Sequence, residues 1–255
     1  MSYIYKQGSI PIILLSLHGG GEKLDCKKRT NTRDGKQFVV SNDSYTKEIT
    51  MKTYKHMLSK GIQPYLLVNN IHRKYVDLNR FMQSACNDNC DGCMLQYVLF
   101  HDVLMKTVLN IIEKYGKCFI FDIHGNKYTT DIIEFGYGLT LDQLKNNDLK
   151  TSSLYSFKNK SNLADYIYKN KSLSYFYKKY FTNVFPTTNV IDDSYLKKTN
   201  SRYYSGKQFI IKKYSDICDV CLVELSPELR TETKQTGVYL AEGLIKYYNT
   251  VYSKL

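Results

Sequence analysis

Four short, nearly uninterrupted apolar runs constrain this sequence most, because such a run is typical of a strand covered on both faces. Segments with helical spacing lie between the runs, at about 44–60 and 94–115, and a last helix carries Val238, Ala241 and Ile245 on one stripe. This alternation predicts an α/β fold with a mixed, largely parallel sheet flanked by helices. The four runs are residues 10–17, 65–68, 118–123 and 221–225, and further strands are predicted at 132–137 and 209–214.

The sequence predicts a single domain over residues 1–255, because no break in composition is strong enough to mark a boundary. A basic stretch rich in Tyr, Lys and Asn, at about 145–200, is expected to form an insertion of helices outside the sheet or over the pocket. No window approaches the ~20 apolar residues of a membrane helix, and no signal peptide is evident. We therefore expect a cytoplasmic protein that does not enter a membrane.

The charge balance is strongly basic, since 36 Lys and Arg against 24 Asp and Glu give a formal net charge of +12. Such a surplus can attract nucleic acid, an anionic surface or an acidic small substrate. Here the lysines are spread along Lys- and Asn-rich segments without a long basic run, which favours a solvated basic surface. We do not expect a nucleic-acid partner, and the sequence leaves the oligomeric state open.

Seven cysteines, with no secretory signal, are expected to be reduced thiols. Two CxxC pairs resemble a zinc ribbon, Cys90 with Cys93 and Cys218 with Cys221. The second pair lies on a predicted strand, where residues three apart point to opposite faces, so its thiols are poorly placed to share a metal. The first pair lies with Cys86 in a polar loop, where a local metal site and a disulfide both remain open.

Polar side chains follow four of the predicted strands, at the point where each strand ends. In an open α/β sheet the ligand crevice lies beyond the carboxyl ends of the strands, so these segments converge if the strands are parallel neighbours. A single strand-end histidine is more often structural, but His18 and His124 together, with a nearby carboxylate, favour zinc. Asp122 is placed either to support a ligand or to stabilise the fold. The segments are residues 17–22, 72–80, 121–126 and 222–227.

These motifs resemble the N-formylglutamate amidohydrolase family, within the wider zinc carboxypeptidase and aspartoacylase-like superfamily. They occur in the family's order and span roughly residues 10–230, while the basic stretch has no matching motif. The resemblance implies a zinc carboxypeptidase-like (phosphorylase/hydrolase-like) fold. The matching motifs are Ser16-Leu17-His18-Gly19-Gly20, Asn42-Asp43 before a helix with Thr46 and Glu48, Val76-Asp77-Leu78-Asn79-Arg80, Asp122-Ile123-His124-Gly125, Phe135-Gly136-Tyr137, and Glu224 on the final strand.

The resemblance implies that His18 and His124 are the two histidine ligands of a zinc ion. The family's third ligand is an acidic residue soon after the first histidine, and Glu22 is the nearest one in this sequence. The superfamily's commonest spacing is His-x-x-Glu, whereas three glycines intervene here, so Asp43 is kept as the alternative ligand. Read from the sequence alone, Asp43 is favoured as a helix cap.

The resemblance also implies catalytic and substrate-binding roles. Glu224 would be the general base, Arg73 would polarise the scissile carbonyl, and Asn79 with Arg80 would grip a substrate carboxylate. These roles agree with the chemistry, since a carboxylate can transfer the proton of water and the guanidinium fork suits a planar carboxylate. Two plainer interpretations stay open: Arg80 pairs with Asp77 on the surface, and Glu224 is a strand-end charge without a task.

The expected function is that of a zinc-dependent amidohydrolase that cleaves an amide next to a carboxylate-bearing group. Its expected substrate is a small acidic N-acyl amino acid such as N-formylglutamate, or an acidic peptide. Two alternatives remain open. One is a metallo-carboxypeptidase or γ-glutamyl peptidase that uses the same site, and the other is a catalytically inactive binding protein of this fold.

Overall fold

In the described part of the chain, seven strands form one mixed sheet. The structure is a computed structural model that describes residues 2–29, 32–33, 36–37, 39–87, 90–128, 131–186, 203–204 and 209–255. The strands in chain order are β1 (Tyr3–Lys6), β2 (Ile12–Ser16), β3 (Thr32–Arg33), β4 (Lys36–Gln37), β5 (Tyr65–Asn69), β6 (Phe119–Gly125), β7 (Ile133–Gly136), β8 (Val184–Phe185) and β9 (Asp219–Leu225). β3 and β4 form a separate two-stranded ribbon.

The sheet has the order β1-β5-β2-β6-β9-β7-β8. Its four central strands, β5, β2, β6 and β9, run parallel. β1 is antiparallel to β5 and β7 is antiparallel to β9, which makes the sheet mixed. The predicted fold class is confirmed. The apolar runs identified the central strands correctly because these strands are buried on both faces.

Helices cover both faces of the sheet. One core cluster includes side chains of the first and the last long helix, and the second includes the inner face of the longest helix. The helices are α1 (Thr46–Ser59), α2 (Met82–Ala85), α3 (Asp91–Tyr115), α4 (Leu141–Lys145), α5 (Ala164–Ile167), α6 (Leu173–Tyr177), α7 (Phe209–Tyr214), α8 (Pro227–Thr231) and α9 (Thr233–Thr250), with 3₁₀ turns at Tyr155–Phe157 and Tyr252–Lys254.

The basic stretch contributes to the core as far as it is described. Its helices α5 and α6 bury Ile167, Leu173 and Tyr177 in the same cluster as α9. The Tyr177 hydroxyl donates a hydrogen bond of 2.6 Å to the carbonyl of Leu240 on α9. The stretch therefore packs on one face of the sheet, and residues 187–202 lie outside the described part.

The predicted strand at 209–214 is wrong, because this segment is the short helix α7. Phe209, Ile210 and Tyr214 are buried in the core on the α3 side of the sheet. A short apolar run has the same appearance in a buried strand and in a buried helical turn, so hydrophobicity does not separate the two. The helix begins against the site-lining loop, where the Ile210 amide donates to Asn79 Oδ1 at 3.3 Å.

Helix α3 is apolar on more than one face. By length and composition it could span a membrane, and 44% of its most apolar 18-residue window is buried inside the protein. Its inner face carries Phe100 and Leu104. Leu95, Val98 and Leu99 of the same helix are exposed.

Four of the seven cysteines form disulfides in the structure, contrary to the expectation of reduced thiols. Cys26 pairs with Cys90, and Cys86 pairs with Cys93. The CxxC pair at Cys90 is thus divided between two bonds, because the fold brings in Cys26 from a distant loop. Cys218 precedes β9 and is buried in the core cluster on the α3 side, whereas Cys221 of β9 is buried in the cluster on the α1 and α9 side.

His101 of α3 gives rise to a stability prediction. Burial lowers the pKa of His101 to about 3, with a further contribution from the charge of Lys213. Between pH 6.5 and about pH 3, His101 binds a proton in the unfolded chain but not in the folded chain. The free energy of unfolding therefore decreases as the pH falls through this range. We expect His101→Phe to remove this decrease, which amounts to at most about 1.4 kcal/mol per pH unit.

Urea unfolding at pH 7.5 and pH 5 measures this effect. The free energy of unfolding should fall less between pH 7.5 and pH 5 in His101→Phe than in wild type. His56→Gln is the control, because that histidine pairs with Glu242 at 2.7 Å and its removal should not protect against acid. Parallel pH dependence in wild type and His101→Phe would exclude a proton-linked role for His101.

Candidate metal centre and cleft

The carboxyl ends of the parallel strands bring the candidate residues to one edge of the sheet. His18 follows β2 by two residues, and His124 lies near the end of β6. Glu224 of β9 is directly opposite His124 in the register of the two strands. The loop that precedes α1 adds Asp43, and the loop after β5 adds Asp77. The predicted convergence of the strand ends is what places these side chains together.

Three donor atoms form a nearly equilateral triangle at this edge. His18 Nδ1 lies 3.1 Å from His124 Nδ1, and Asp43 Oδ2 lies 3.2 Å and 3.1 Å from those two nitrogens. All three residues are buried, and this group could hold a metal ion. Ligands of a tetrahedral zinc ion at its usual bond lengths are about 3.3 Å apart, so the triangle fits one face of such a site.

Each histidine is held from behind by its own carboxylate. His18 Nε2 is 2.8 Å from Asp77 Oδ1, and His124 Nε2 is 2.9 Å from Asp122 Oδ2. Each carboxylate accepts a hydrogen bond from the Nε2–H group of its histidine, which leaves the Nδ1 lone pair of the neutral ring directed into the triangle. Carboxylate–histidine pairs of this kind orient the imidazole ligands of metal sites. The donor set is therefore arranged for a cation.

The electrostatics of the triangle also favour a positive charge. Burial alone would lower the pKa of His124, but the carboxylates of Asp122 and Asp43 outweigh it and hold that pKa well above its usual range. Burial would likewise raise the pKa of Asp43, yet His18 and His124 keep it far below its ordinary value. The side chains around the triangle thus stabilise a cation between the donor atoms, whether a proton or a metal ion.

Glu22 does not belong to this group. Its side chain is exposed, and its backbone forms a bridge to Ile71 beside β5. The Glu22 amide donates to the carbonyl of Asn70 at 2.9 Å, which directs the chain away from His18. Asp43 stands where the sequence analysis placed Glu22 as third ligand, and the structure brings Asp43, the alternative, to the histidines.

Two of the glycines after His18 allow this arrangement. A Cβ atom on Gly19 would overlap the start of α1 at Lys47, and one on Gly20 would overlap the backbone of Asn70. The turn after β2 therefore lies in direct backbone contact with the neighbouring loops. This close approach brings the loop with Asp43 against the end of β2, where the Asp43 amide donates to the carbonyl of His18 at 3.2 Å.

The expected helix-cap role of Asp43 is not observed. The residue that precedes α1 is Tyr45, and no side chain caps the helix there. Asp43 contributes only its backbone carbonyl, which accepts from the amide and the hydroxyl of Thr46. Its carboxylate is consequently available to face the two histidines.

Arg73 contacts both Asp43, the third donor of the triangle, and Asp77, the carboxylate that is hydrogen-bonded to His18. Its Nε donates to Asp77 Oδ2 at 3.0 Å, and its Nη1 lies 3.4 Å from Asp43 Oδ1. Arg29, which the sequence analysis did not consider, approaches Asp77 at 3.5 Å and donates to the Ser84 carbonyl at 2.8 Å. Two arginines thus neutralise carboxylates beneath the triangle. No motif marks Arg29 in the sequence, since only the fold brings it to Asp77.

Glu224 is the remaining carboxylate at the triangle. It is 6% exposed, and its Oε2 has no hydrogen-bond partner among the residues that the structure describes. Burial raises the pKa of Glu224 to about 8, although the nearby charge of His124 acts in the opposite direction. A carboxyl group with this pKa changes its protonation state near neutral pH and is suited to proton transfer.

The triangle lies in a cleft of about 250 Å³ whose walls are rich in positive charge. Asn79 and Arg80, for which a substrate-binding role is predicted, both line this cleft, and Arg80 Nη1 donates to the Asn79 carbonyl at 2.8 Å. Arg230 was not predicted. Its guanidinium donates to the carbonyls of Leu225, Ser44 and Asn126. Further lining residues are Val39, Ser41, Asn42, Gly125, Lys127, Tyr204 and Leu222.

Comparison with solved structures supports the fold. The chain is similar over 100% of its length to 99% of an N-formylglutamate amidohydrolase from Ralstonia eutropha JMP134, with a TM-score of 0.57 and 13% identity. A gene product from Agrobacterium tumefaciens is similar over 98% of this chain and 96% of its own, with a TM-score of 0.53 and 12% identity. No protein-family model and no curated protein matches the sequence. At these identities the likeness establishes a shared fold.

Proposed function

We propose that this protein is a zinc-dependent amidohydrolase that cleaves an amide bond next to a carboxylate-bearing group. The observation that carries the proposal is the triangle of His18 Nδ1, His124 Nδ1 and Asp43 Oδ2 beside the buried carboxyl group of Glu224. Two imidazoles and a carboxylate suit zinc and leave a fourth position open for catalysis. The fold shared with an N-formylglutamate amidohydrolase is consistent with this chemistry.

Zinc, Glu224 and Arg73 would have different roles in the proposed reaction. A zinc ion held by His18, His124 and Asp43 would supply Lewis acidity for a carbonyl group and for water. Glu224 accepts the proton of the attacking water and returns it to the leaving nitrogen, as a group with a pKa of about 8 can do. Arg73 holds Asp43 and Asp77 in place and presents its positive charge to the cleft, where it can also stabilise a developing oxyanion.

The substrate class follows from the charge of the cleft. Arg80 and the exposed Lys127 line it together with Arg230, so an anionic group of the substrate meets a positive surface. Arginine suits a planar carboxylate because its fork donates two parallel hydrogen bonds. The cleft volume of about 250 Å³ fits a small ligand, which favours an N-acyl amino acid over a long peptide.

The test is a hydrolysis assay with protein that has been stripped of metal and reloaded with zinc. The panel contains N-formyl and N-acetyl derivatives of glutamate and aspartate, γ-glutamyl dipeptides and peptides with a free carboxyl terminus. We expect turnover of N-acyl amino acids by the zinc form, and none by the stripped form or by His124→Ala. Preference for peptides would favour a carboxypeptidase or γ-glutamyl peptidase on the same site. Absence of all turnover in folded, zinc-loaded protein would contradict the proposal.

Arg80→Ala should raise KM for the carboxylate substrate by about 10- to 100-fold, because a hydrogen bond to a charged group contributes about 1.5–3 kcal/mol. Its kcat should change much less, since a clamp that holds ground state and transition state alike contributes uniform binding. Lys74→Ala removes a positive charge from the same loop outside the cleft and is the control. If Arg80→Ala discriminates between the acid and its neutral amide as strongly as wild type does, Arg80 does not bind the carboxylate.

A further inference from the structure

Four cysteines form two neighbouring disulfides outside the cleft. Cys26 comes from the loop after β2, and the other three flank the start of α3. The bonded pairs, Cys26 with Cys90 and Cys86 with Cys93, each have a Cα–Cα distance of 5.8 Å. The Cys90 Sγ also accepts a hydrogen bond of 3.2 Å from the amide of Cys93, which joins the two pairs into one cluster. We call these four residues the cysteine cluster.

The donor set of the cysteine cluster is that of a structural zinc site. Closed zinc sites in proteins are commonly tetrahedral with four thiolates, and CxxC turns supply neighbouring ligands. Here Cys86, Cys90 and Cys93 are spaced Cys-x-x-x-Cys-x-x-Cys, and Cys26 supplies the fourth sulfur. Sulfur atoms bound to one zinc ion are about 3.8 Å apart, so both disulfides must be reduced and their sulfur atoms must separate before the ion can bind.

The surroundings of the cysteine cluster stabilise thiolates. Cys90 is the N-cap of α3, a helix of 25 residues, where the helix dipole and free amides favour negative charge. The amide of Cys93 that donates to Cys90 Sγ adds a direct hydrogen bond to the sulfur.

We propose that the reduced protein binds a structural zinc ion through Cys26, Cys86, Cys90 and Cys93, separate from the candidate centre in the cleft. On binding, each of the four thiols releases one proton to solvent, and no electrons are transferred. The paired and the zinc-bound forms are alternative states of the same sulfur atoms. A dithiol reductant, which donates two electrons to each disulfide and is itself oxidised to a disulfide, converts the first into the thiol form that takes up zinc.

The zinc ion of the cysteine cluster would stabilise one wall of the cleft. Arg29 is three residues after Cys26, and it donates to the carbonyls of Arg73 and Ser84. The Asp77 amide donates at 2.9 Å to the carbonyl of Ala85, which directly precedes Cys86. Zinc binding to the cysteine cluster would therefore fix the two segments that contact Asp77, the residue hydrogen-bonded to His18.

The experiment separates this site from the one in the cleft. A double variant, His18→Ala with His124→Ala, removes two donors of the cleft and leaves the cysteine cluster intact. Purified with a dithiol reductant and zinc, it should retain about one zinc ion per chain by elemental analysis. Adding Cys26→Ser and Cys86→Ser, one from each pair, should abolish this zinc, whereas adding Cys118→Ala should not. Cobalt in place of zinc should give the thiolate charge-transfer absorption only when the four cysteines are present.

A second measurement on the unmutated chain covers the case in which the serine variant does not fold. In reduced wild-type protein, bound zinc should protect the four cysteines from alkylation, and a chelator should restore their reaction, as mapped by mass spectrometry. The proposal is overturned if the reduced double variant contains no zinc and shows no cobalt–thiolate absorption. It is also overturned if alkylation of the four cysteines is equally fast with and without zinc. Failure of the amidohydrolase assay would leave both readouts unaffected.

Discussion

Replacement of Glu224 by glutamine is expected to lower kcat by about 10²- to 10⁴-fold, the usual contribution of a general acid–base group. Zinc content and KM should stay near the wild-type values. Glutamine has nearly the same shape and retains a carbonyl oxygen, but it cannot accept and return a proton. The expectation follows from the position of Glu224, which is buried beside the donor triangle and lies opposite His124 in the strand register.

Asp219→Asn is the matched control for this variant. Asp219 lies at the opposite end of the same strand, β9, and is also buried. Burial raises the pKa of Asp219 to about 6, against the effect of hydrogen bonds from Ser156 and Tyr252. Both substitutions therefore remove a buried carboxyl group from one strand, but only Glu224 faces the cleft. We expect kcat to be unchanged in Asp219→Asn. A Glu224→Gln variant that keeps more than a tenth of kcat would exclude the general-base role.

Asp43→Asn is expected to weaken zinc binding by more than the roughly 10- to 100-fold that loss of an outer hydrogen-bond partner usually costs. The reason is that Asp43 supplies one of the three converging donor atoms and the negative charge of the group. Glu22→Gln is the matched control, since it removes a charge of the same sign from an exposed side chain. Its zinc affinity should equal that of wild type.

Competition with a chelating dye measures both affinities, and circular dichroism checks that each variant is folded. Loss of zinc from Glu22→Gln, with normal zinc in Asp43→Asn, would reverse the assignment of the third donor. Equal affinities in all three proteins would mean that zinc does not bind at the triangle.

The parallel centre of the sheet and the convergence of its ends follow from the sequence alone. The strand cores are continuous apolar runs, and polar residues appear only where each run stops, so His18, His124 and Glu224 were predicted to share one edge. Asp122 was predicted either to support a ligand or to stabilise the fold, and its carboxylate lies 2.9 Å from Nε2 of His124, two residues further along the strand. The apolar runs, and the polar residues at their ends, are therefore the sequence features that predict this part of the site.

Other parts of the site depend on contacts between distant segments. Proximity in sequence favoured Glu22 over Asp43, but the bridge from Glu22 to Ile71 and the approach of the glycine turn to α1 decide the outcome. Arg29, beneath the triangle, and Arg230, in the wall of the cleft, are held by backbone carbonyls of distant segments, and no sequence pattern encodes such partners. Charge and hydrophobicity describe single segments, whereas these contacts arise only after the segments have packed.

The placement of β9 has a consequence for the order in which the protein matures during synthesis. Among the described strands β9 is made last, yet it lies between β6 and β7. The native strand order therefore cannot be completed until residues 219–225 have been synthesised. His18, Asp43 and His124 all precede β9 in the chain, and Glu224 lies on β9 itself. The three donors of the proposed metal site are thus synthesised before the sheet is complete, and the proposed general base arrives on the strand that completes it.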